Sequence, residues 1–220
     1  LVSLFSSGCA PRIPGKAHAM ADGPRFEEVP QGLDDRLHVA GGHRHQVLIR
    51  WGDPVLSGAP AWDPLKQSPQ AQLKQFGYNC DFVVYLPLEA GDAGNRHGLL
   101  CVNHEYTRSH MMFPGFQSAK EALATVTSEQ SETEMAAIGH SVIEVERRED
   151  GSWHVVEGPY NRRISLLDTE MDLVGPVRGH PRVQTKADPA GQRVLGTLAN
   201  CSGGVTPWGT VLLCEENVEK

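Results

Sequence analysis

The stretch HSVIEVERREDGSWHVVE, from His140 to Glu157, decides the fold class of this chain. Apolar and β-branched residues alternate with polar ones on both sides of the segment REDG, and Asp150-Gly151 is a pair that suits a tight turn. The pattern predicts an antiparallel hairpin. It therefore favours a protein built mainly of β-strands.

Further strands are predicted on both sides of that hairpin by short apolar runs, each bounded by Gly, Pro, Asn or Asp. A polar, glycine-rich segment at residues 88–98 separates two of these runs and predicts a second hairpin. Between Ser118 and Gly139 the chain is rich in Ala, Glu and Ser, which predicts one or two short helices with a weak point at Thr125 to Thr127. A sandwich, a barrel and a propeller are all compatible with this order of elements. The apolar runs are residues 45–51, 81–87, 98–104, 191–201 and 209–217.

The composition indicates a globular, turn-rich chain and argues against two classes of partner. The 220 residues include 23 Gly and 15 Pro, which are spread along the whole length. Because 27 acidic residues outnumber 20 basic ones and give a formal charge of −7, we expect no nucleic-acid partner. No apolar run is long enough to predict a membrane span.

Residues 1–25 are interpreted as a leader or the remnant of a signal peptide, because they lack hydrophobic periodicity. The triplet Ala17-His18-Ala19 fits the small-residue pattern of a signal-peptidase site. A non-periodic N-terminal extension is the alternative interpretation.

The predicted strand over residues 98–104 ends in a polar sequence, Asn103-His104-Glu105. Side chains alternate along a strand, so Asn103 and Glu105 are expected to share one face. An amide oxygen and a carboxylate are hard oxygen ligands of the kind that calcium or ferric iron binds. A polar strand end that caps a turn would explain the same residues without a metal.

The segment NCSGGVTPWGTVLLCEEN, from Asn200 to Asn217, places a thiol and two carboxylates close together in sequence. Glu215 and Glu216 point to opposite faces of a regular strand, so one can enter a site that the other cannot reach. The apolar run before them predicts a strand buried on both faces, and carboxylates that emerge from such a strand need a partner or a metal. A solvated strand end is the alternative.

Cys201 lies before Gly203-Gly204, where the main chain can approach a ligand closely. Its thiolate would suit iron but not calcium alone, and a buried, inert cysteine is the alternative. The five cysteines contain no Cys-x-x-Cys pair, which argues against a zinc knuckle or a thioredoxin-like site. Arg162 and Arg163 are adjacent, so one of them could meet a phosphate or carboxylate as a planar fork, although exposed arginines usually do not.

The chain resembles the PhoX-type alkaline phosphatases through seven motifs that occur in the family's order. The likeness extends from Phe26 to Lys220. It implies a mainly β fold, part of a β-propeller with antiparallel blades and a small helical insertion, of which residues 26–220 would be an N-terminal part truncated at its C-terminus. The motifs are LIRWGDPV, QFGYNCDF, VNHEYT, EMAAIGHSVIEV, YNRRI, GPVRGH and NCSGGVTPWGTVLLCEEN.

The resemblance also implies a metal site. Motif by motif, it makes Glu105 a metal ligand and Cys201 an iron thiolate, and it places Glu215 or Glu216 on calcium or ferric iron. No side chain is assigned as the nucleophile. Three further residues are possible supporting residues, namely Asn103, Arg162 and Arg163.

The implied activity is hydrolysis of small phosphate esters by an exported protein that is monomeric at full length. Family members use the twin-arginine route, so the implied location is periplasmic or secreted. Because they take further ligands from later blades, we expect residues 1–220 to be inactive alone.

Two other functions are compatible with the same motifs. One is a non-catalytic calcium-binding β domain, in which the polar strand ends stabilise the structure. The other is a calcium-dependent propeller hydrolase that acts on lactones or phosphotriesters and needs no thiolate.

Overall fold

The computed structural model describes residues 27–216, and the chain divides into two compact units, residues 1–45 and 46–220. In the first unit, none of the described residues 27–45 lies in a helix or a strand. The interpreted leader at residues 1–25 lies outside the described residues. All of the secondary structure described below belongs to the second unit.

The second unit is mainly β, as the sequence predicts. Its strands are antiparallel and its helices are short. The strands are β1 Cys80–Pro87, β2 His97–His104, β3 Gly139–Arg147, β4 Trp153–Val156, β5 Arg162–Ser165, β6 Glu170–Asp172, β7 Arg193–Leu195, β8 Asn200–Val205 and β9 Val211–Glu215. The α-helices are α1 Pro69–Gln72, α2 Ser109–Met112, α3 Ala119–Thr125 and α4 Ser128–Ala137, and single 3-10 turns cover Ala93–Asn95 and Pro181–Val183.

The largest sheet has five strands, in the order β1-β2-β3, with β4 and β5 both paired to the far edge of β3. β4 pairs with residues 144–147 of β3 and β5 pairs with residues 139–142, so the two short strands follow one another along the same edge. Both predicted hairpins, β1-β2 and β3-β4, are confirmed. Two separate two-stranded sheets, β6-β7 and β8-β9, complete the described strands.

The hydrophobic core covers one face of the five-stranded sheet. Val102, Ile143 and Val145 alternate with residues of the opposite face and pack with Val55 and Phe76. Burying side chains of this size stabilises the fold by about 1.5–3 kcal/mol each. The alternation that predicted β3 is therefore the pattern that builds the core.

The helical segment between β2 and β3 follows the sequence prediction closely. Ser118 is the N-cap of α3, with its side chain accepting from the main-chain nitrogen of Glu121. The predicted weak point separates α3 from α4, where Thr127 and Gln130 form a capping box. Among the described residues, no helix combines the length and apolar character needed to cross a membrane.

Residues 45–51 do not form the predicted strand. The Gln46 side chain occupies the edge of β4 instead, since its amide accepts from the main-chain nitrogen of Trp153 and donates to the carbonyl oxygen of the same residue. Leu48 and Ile49 still pack against the core. The apolar pattern therefore predicted burial correctly but not strand pairing.

The apolar run of β9 is not buried on both faces, as the sequence had predicted. Leu212 is 57% exposed. β9 belongs to a two-stranded sheet with β8, and the described residues place no second layer over this side chain. Side-chain polarity alone does not reveal whether a covering layer exists.

Candidate metal centre

Two hairpins, β1-β2 and β8-β9, share a register shift near the start of their first strand. β1 shifts its register in the segment that contains Asp81, and β8 shifts its register at Cys201. Such bulges insert one extra residue into a strand and redirect its side chain. Asp81 and Cys201 therefore occupy corresponding places in the two hairpins.

The residue before each of these strands has a left-handed main chain. Asn79 has φ 56° and Ala199 has φ 52°, a conformation that costs non-glycine residues energy. The carbonyl oxygen of Asn79 accepts from the main-chain nitrogen of Glu105 at 3.2 Å, and that of Ala199 accepts from Glu216 at 3.0 Å. Each turn thus fixes a glutamate just beyond the end of the neighbouring strand.

Four side chains from these hairpin ends form an acidic cluster, defined here as Asp81, Glu105, Cys201 and Glu216. The carboxyl groups of Glu105 and Asp81 interact directly, and this interaction raises the pKa of Glu105. The Cys201 thiol is hydrogen-bonded to the Glu216 carboxylate. The two hairpins therefore bring three carboxyl groups and one thiol together.

The acidic groups of the cluster raise one another's pKa values. Burial raises the pKa of Glu105, and the hydrogen bond and charge of Asp81 and the charge of Glu216 raise it further. The hydrogen bond to Glu216 raises the pKa of the Cys201 thiol, with smaller contributions from burial and from the other carboxylates of the cluster. Acids held this close together resist losing their protons unless a positive charge compensates.

The donor set fits the metals that the sequence predicts. Carboxylate oxygens suit calcium, and a thiolate suits iron. Among residues 27–216, no three His, Cys, Asp or Glu side chains already stand in a metal-binding arrangement. A cation bound here would compete with protons for these groups, because metal ligands must be deprotonated.

The adjacent glutamates have different partners, as alternation along β9 predicts. Glu216 belongs to the acidic cluster. Oε1 of Glu215 accepts from the main-chain nitrogen of Leu198 at 2.8 Å and lies 2.6 Å from Oγ1 of Thr197. Of the two, Glu216 is the one directed to the cluster, and the role of Glu215 as a ligand stays a prediction.

Asn103 is fully buried and bridges the two hairpins. Its Nδ2 donates to the carbonyl oxygen of Ser202 at 3.1 Å, and its Oδ1 lies 2.9 Å from Nδ1 of His140. The amide oxygen is therefore engaged with His140. In this structure Asn103 joins elements of the fold rather than entering the acidic cluster.

The two predicted arginines differ in burial and in their partners. Arg163 is buried, and its guanidinium donates to the carbonyl oxygens of Ala136 and His140 and to Oγ of Ser141. Burial lowers the pKa of Arg163 to about 10. Arg162 is exposed and lines a cavity of about 300 Å³ beside β9. As substrate contacts, both stay predictions.

The geometry agrees with a comparison of whole sequences. A family model described as alkaline phosphatase PhoX matches residues 24–220. The chain belongs to the PhoX alkaline phosphatase family. The resemblance carried by the seven motifs is thereby confirmed.

A solved structure supports the same assignment to the PhoX family. It is Pseudomonas fluorescens PhoX in complex with vanadate, a transition state analogue, and it shares 36% sequence identity with this chain at a TM-score of 0.76. The match covers 88% of this chain and 32% of the Pseudomonas chain, so this chain spans about a third of that relative. A search of curated proteins found no match.

Sequence reasoning missed one member of the cluster in this PhoX-family chain. Asp81 is absent from the ligands that the motifs and the resemblance predict. The sequence carries no local signal for this role, because the register shift near residue 81 becomes visible only in the strand pairing. His140 and Asn200 were also missed, since their roles depend on contacts between distant strands.

The structure gives a packing reason for glycine at position 203. A Cβ there would lie 2.7 Å from Cδ1 of Phe82 and 2.8 Å from the carbonyl oxygen of Leu212. The glycine therefore lets β8 pack closely against β1. Close approach of a ligand at the glycine pair stays a prediction.

Proposed function

We propose that this chain supplies part of the metal centre of a phosphomonoesterase that uses calcium and ferric iron. The observation that carries the proposal is the acidic cluster, in which two hairpin ends of a PhoX-family chain converge on three carboxyl groups and a thiol. The vanadate complex of the Pseudomonas relative supports phosphoryl chemistry in the family.

The residues of the cluster divide by chemistry. Cys201 would hold iron through its sulfur, while Asp81, Glu105 and Glu216 would offer oxygen to calcium or iron. When bound, the cations supply positive charge that offsets the phosphate dianion and polarises its oxygens. This matters because the chain carries a formal charge of −7 and otherwise repels anions.

We further propose that the five-stranded sheet and the β8-β9 hairpin belong to a β-propeller. A meander of antiparallel strands is the usual form of a propeller blade. Because the chain spans 32% of the Pseudomonas relative, other ligands would come from residues outside it. Export to the periplasm or medium, a monomeric state at full length and inactivity of this part alone complete the proposal.

The test is an assay of the complete gene product that contains this chain, with p-nitrophenyl phosphate as substrate. Activity should disappear with a chelator and return with calcium and iron. Glu105→Gln and Cys201→Ser should each lower kcat/KM by about 100-fold or more. Replacing residues that only support metal ligands typically costs up to about 100-fold, and a ligand itself should cost at least as much. Glu149→Gln and Cys214→Ser, at exposed positions outside the cluster, are the matched controls and should leave activity unchanged.

The same assay separates the competing functions. Calcium binding without phosphatase activity in the complete product would favour a structural calcium domain. Hydrolysis of lactones or phosphotriesters, with full activity retained by Cys201→Ser, would favour a calcium-dependent propeller hydrolase. The hydrogen bond between Cys201 and Glu216 favours the phosphatase, since a calcium hydrolase has no use for a thiol in its site.

A further inference from the structure

Two hydrogen bonds from buried asparagines attach β8 to the large sheet on either side of Cys201. On one side, Nδ2 of Asn200 donates to the carbonyl oxygen of Gly139 at 3.4 Å. On the other side, Asn103 donates to the carbonyl oxygen of Ser202 at 3.1 Å. Both asparagines are 0% exposed. The bulged residue that carries the thiol is therefore held from both directions.

The orientation of Asn103 is determined by its partners. The carbonyl oxygen of Ser202 can only accept, so the Asn103 amide must present Nδ2 to it and Oδ1 to His140. His140 must then carry a hydrogen on Nδ1 and donate it to Asn103. The buried His140 ring thereby gives the Asn103 amide oxygen a donor and reinforces the orientation that the Ser202 carbonyl requires.

Asn200 is oriented in a similar way. Its Oδ1 lies 2.6 Å from Oγ1 of Thr197, and Oγ1 lies at the same distance from Oε1 of Glu215. Because a hydroxyl has one hydrogen, it serves one of these two acceptors at a time. With Oδ1 directed to Thr197, Nδ2 of Asn200 is left to donate to Gly139.

These contacts matter because the hairpins of the acidic cluster belong to different sheets. Among the described strands, no main-chain ladder joins β8-β9 to β1-β2. The distance from Cys201 and Glu216 to Asp81 and Glu105 therefore depends on side-chain contacts between the sheets. A bulge is also a place where a strand can slip its register.

We propose that His140 and Thr197 are positioning residues, which act through Asn103 and Asn200 to hold Cys201 in the acidic cluster. The proposal rests on the proposed function, because it assigns a purpose to the position of the thiol. Neither His140 nor Thr197 belongs to the acidic cluster.

Two matched pairs of variants test it in the full chain. His140→Asn keeps a hydrogen-bond donor close to the place of Nδ1, whereas His140→Leu removes it. Thr197→Ser keeps the hydroxyl, whereas Thr197→Val keeps the shape without it. Thermal unfolding identifies any variant that fails to fold, and in that case the other pair decides.

The first readout is the binding of Co²⁺ alone, because a thiolate on cobalt gives a charge-transfer band that Cys201→Ser should abolish. The Leu and Val variants should weaken Co²⁺ binding by about 10- to 100-fold and diminish the band, as losses around metal ligands do. The Asn and Ser variants should restore both. Equal binding by all four variants, or equal losses within each pair, would overturn the proposal.

The second readout needs no metal. The rate at which iodoacetamide alkylates each cysteine is followed by mass spectrometry, with the exposed Cys214 as the internal reference. The Leu and Val variants should raise the Cys201 rate several-fold relative to Cys214, and the Asn and Ser variants should not. If the unaltered chain shows no cobalt band, the proposed function fails, and this rate still decides whether the positioning role is right.

Discussion

Asn79 and Glu105 are joined twice, once through the main chain and once through side chains. The main-chain nitrogen of Glu105 donates to the carbonyl oxygen of Asn79 at 3.2 Å, and Nδ2 of Asn79 donates to Oε2 of Glu105 at 3.3 Å. Asn79 does this from a left-handed conformation with φ 56°. Asparagine is one of the few residues with a side chain that enters this region readily.

Replacing Asn79 should therefore reveal two separate costs. Asn79→Ala loses the side-chain bond and strains the main chain, so the free energy of unfolding should fall by about 1–2 kcal/mol. Asn79→Gly loses the bond but relieves the strain, and it should be the milder change. Urea denaturation measures both. Equal losses for Ala and Gly would show that the left-handed turn is not strained.

Gly203→Ala should separate the two hairpins. Its new methyl group would lie 2.7 Å from Cδ1 of Phe82, and forced overpacking of this kind costs about 1–3 kcal/mol. Gly204 is the matched control, because a Cβ there meets nothing within 4 Å. Urea denaturation of the two alanine variants, with Co²⁺ binding measured alongside, should show a loss for position 203 alone. A stable Gly203→Ala variant would argue against close packing of β8 on β1.

Arg163→Met should destabilise the fold strongly. The sequence alone suggests Arg163 as a contact for a phosphate, whereas its buried hydrogen bonds indicate a structural role. The carbonyl oxygens of Ala136 and His140 would lose a charged donor in a buried place, at a cost of at least about 2 kcal/mol in the free energy of unfolding. Arg162→Met, at the exposed neighbour, should change it by no more than about 0.5 kcal/mol. Similar stability of the two variants in urea would refute the structural role of Arg163.

Stability should fall as the pH drops from about 6.5 to about 4. Burial, and then the charge of Arg163, lower the pKa of His140 to about 4, while an unfolded histidine titrates near 6.5. Between these values the unfolded chain binds more protons, so acid favours unfolding. Above about pH 6.5 both states are neutral and His140 adds no pH dependence.

The expected loss of unfolding free energy follows from the pKa shift of His140. At about 1.4 kcal/mol for each pKa unit, His140 contributes roughly 3 kcal/mol, all of it lost near pH 4. Burial and the charges of Arg163 and His140 also lower the pKa of His104, so its contribution has the same sign. Urea denaturation between pH 7 and 4 measures the slope. His140→Asn should have a shallower slope, and an unchanged slope would contradict the assignment.

The sequence predicted those parts of the fold that depend on neighbours in the chain. The turn at Asp150-Gly151 and the cap at Ser118 are local, and both lie where their residues indicated. Residues 45–51 were assigned wrongly, because one side chain, that of Gln46, replaces a strand at the edge of β4.

The candidate site was predictable only in part. Glu105 and Cys201 follow from strand ends and from the family resemblance, which left the choice between Glu215 and Glu216 open. Asp81 does not, because its place depends on a bulge and on how two separate sheets approach each other. His140 and Asn200 are polar residues in strands, and their sequence neighbours say nothing about partners on distant strands.

The hydrogen bond between Asn103 and Ser202 spans 99 positions of the chain, whereas that between His140 and Asn103 spans 37. Closing the longer loop costs more chain entropy, and contacts of high sequence separation slow folding. The β8-β9 hairpin is also attached through side chains rather than through a ladder, so undocking it should need less free energy than unfolding the large sheet. Amide hydrogen exchange around Cys201 should accordingly be faster than in β2 and β3. Two of the four side chains of the acidic cluster, Cys201 and Glu216, thus lie on the hairpin that we expect to open first.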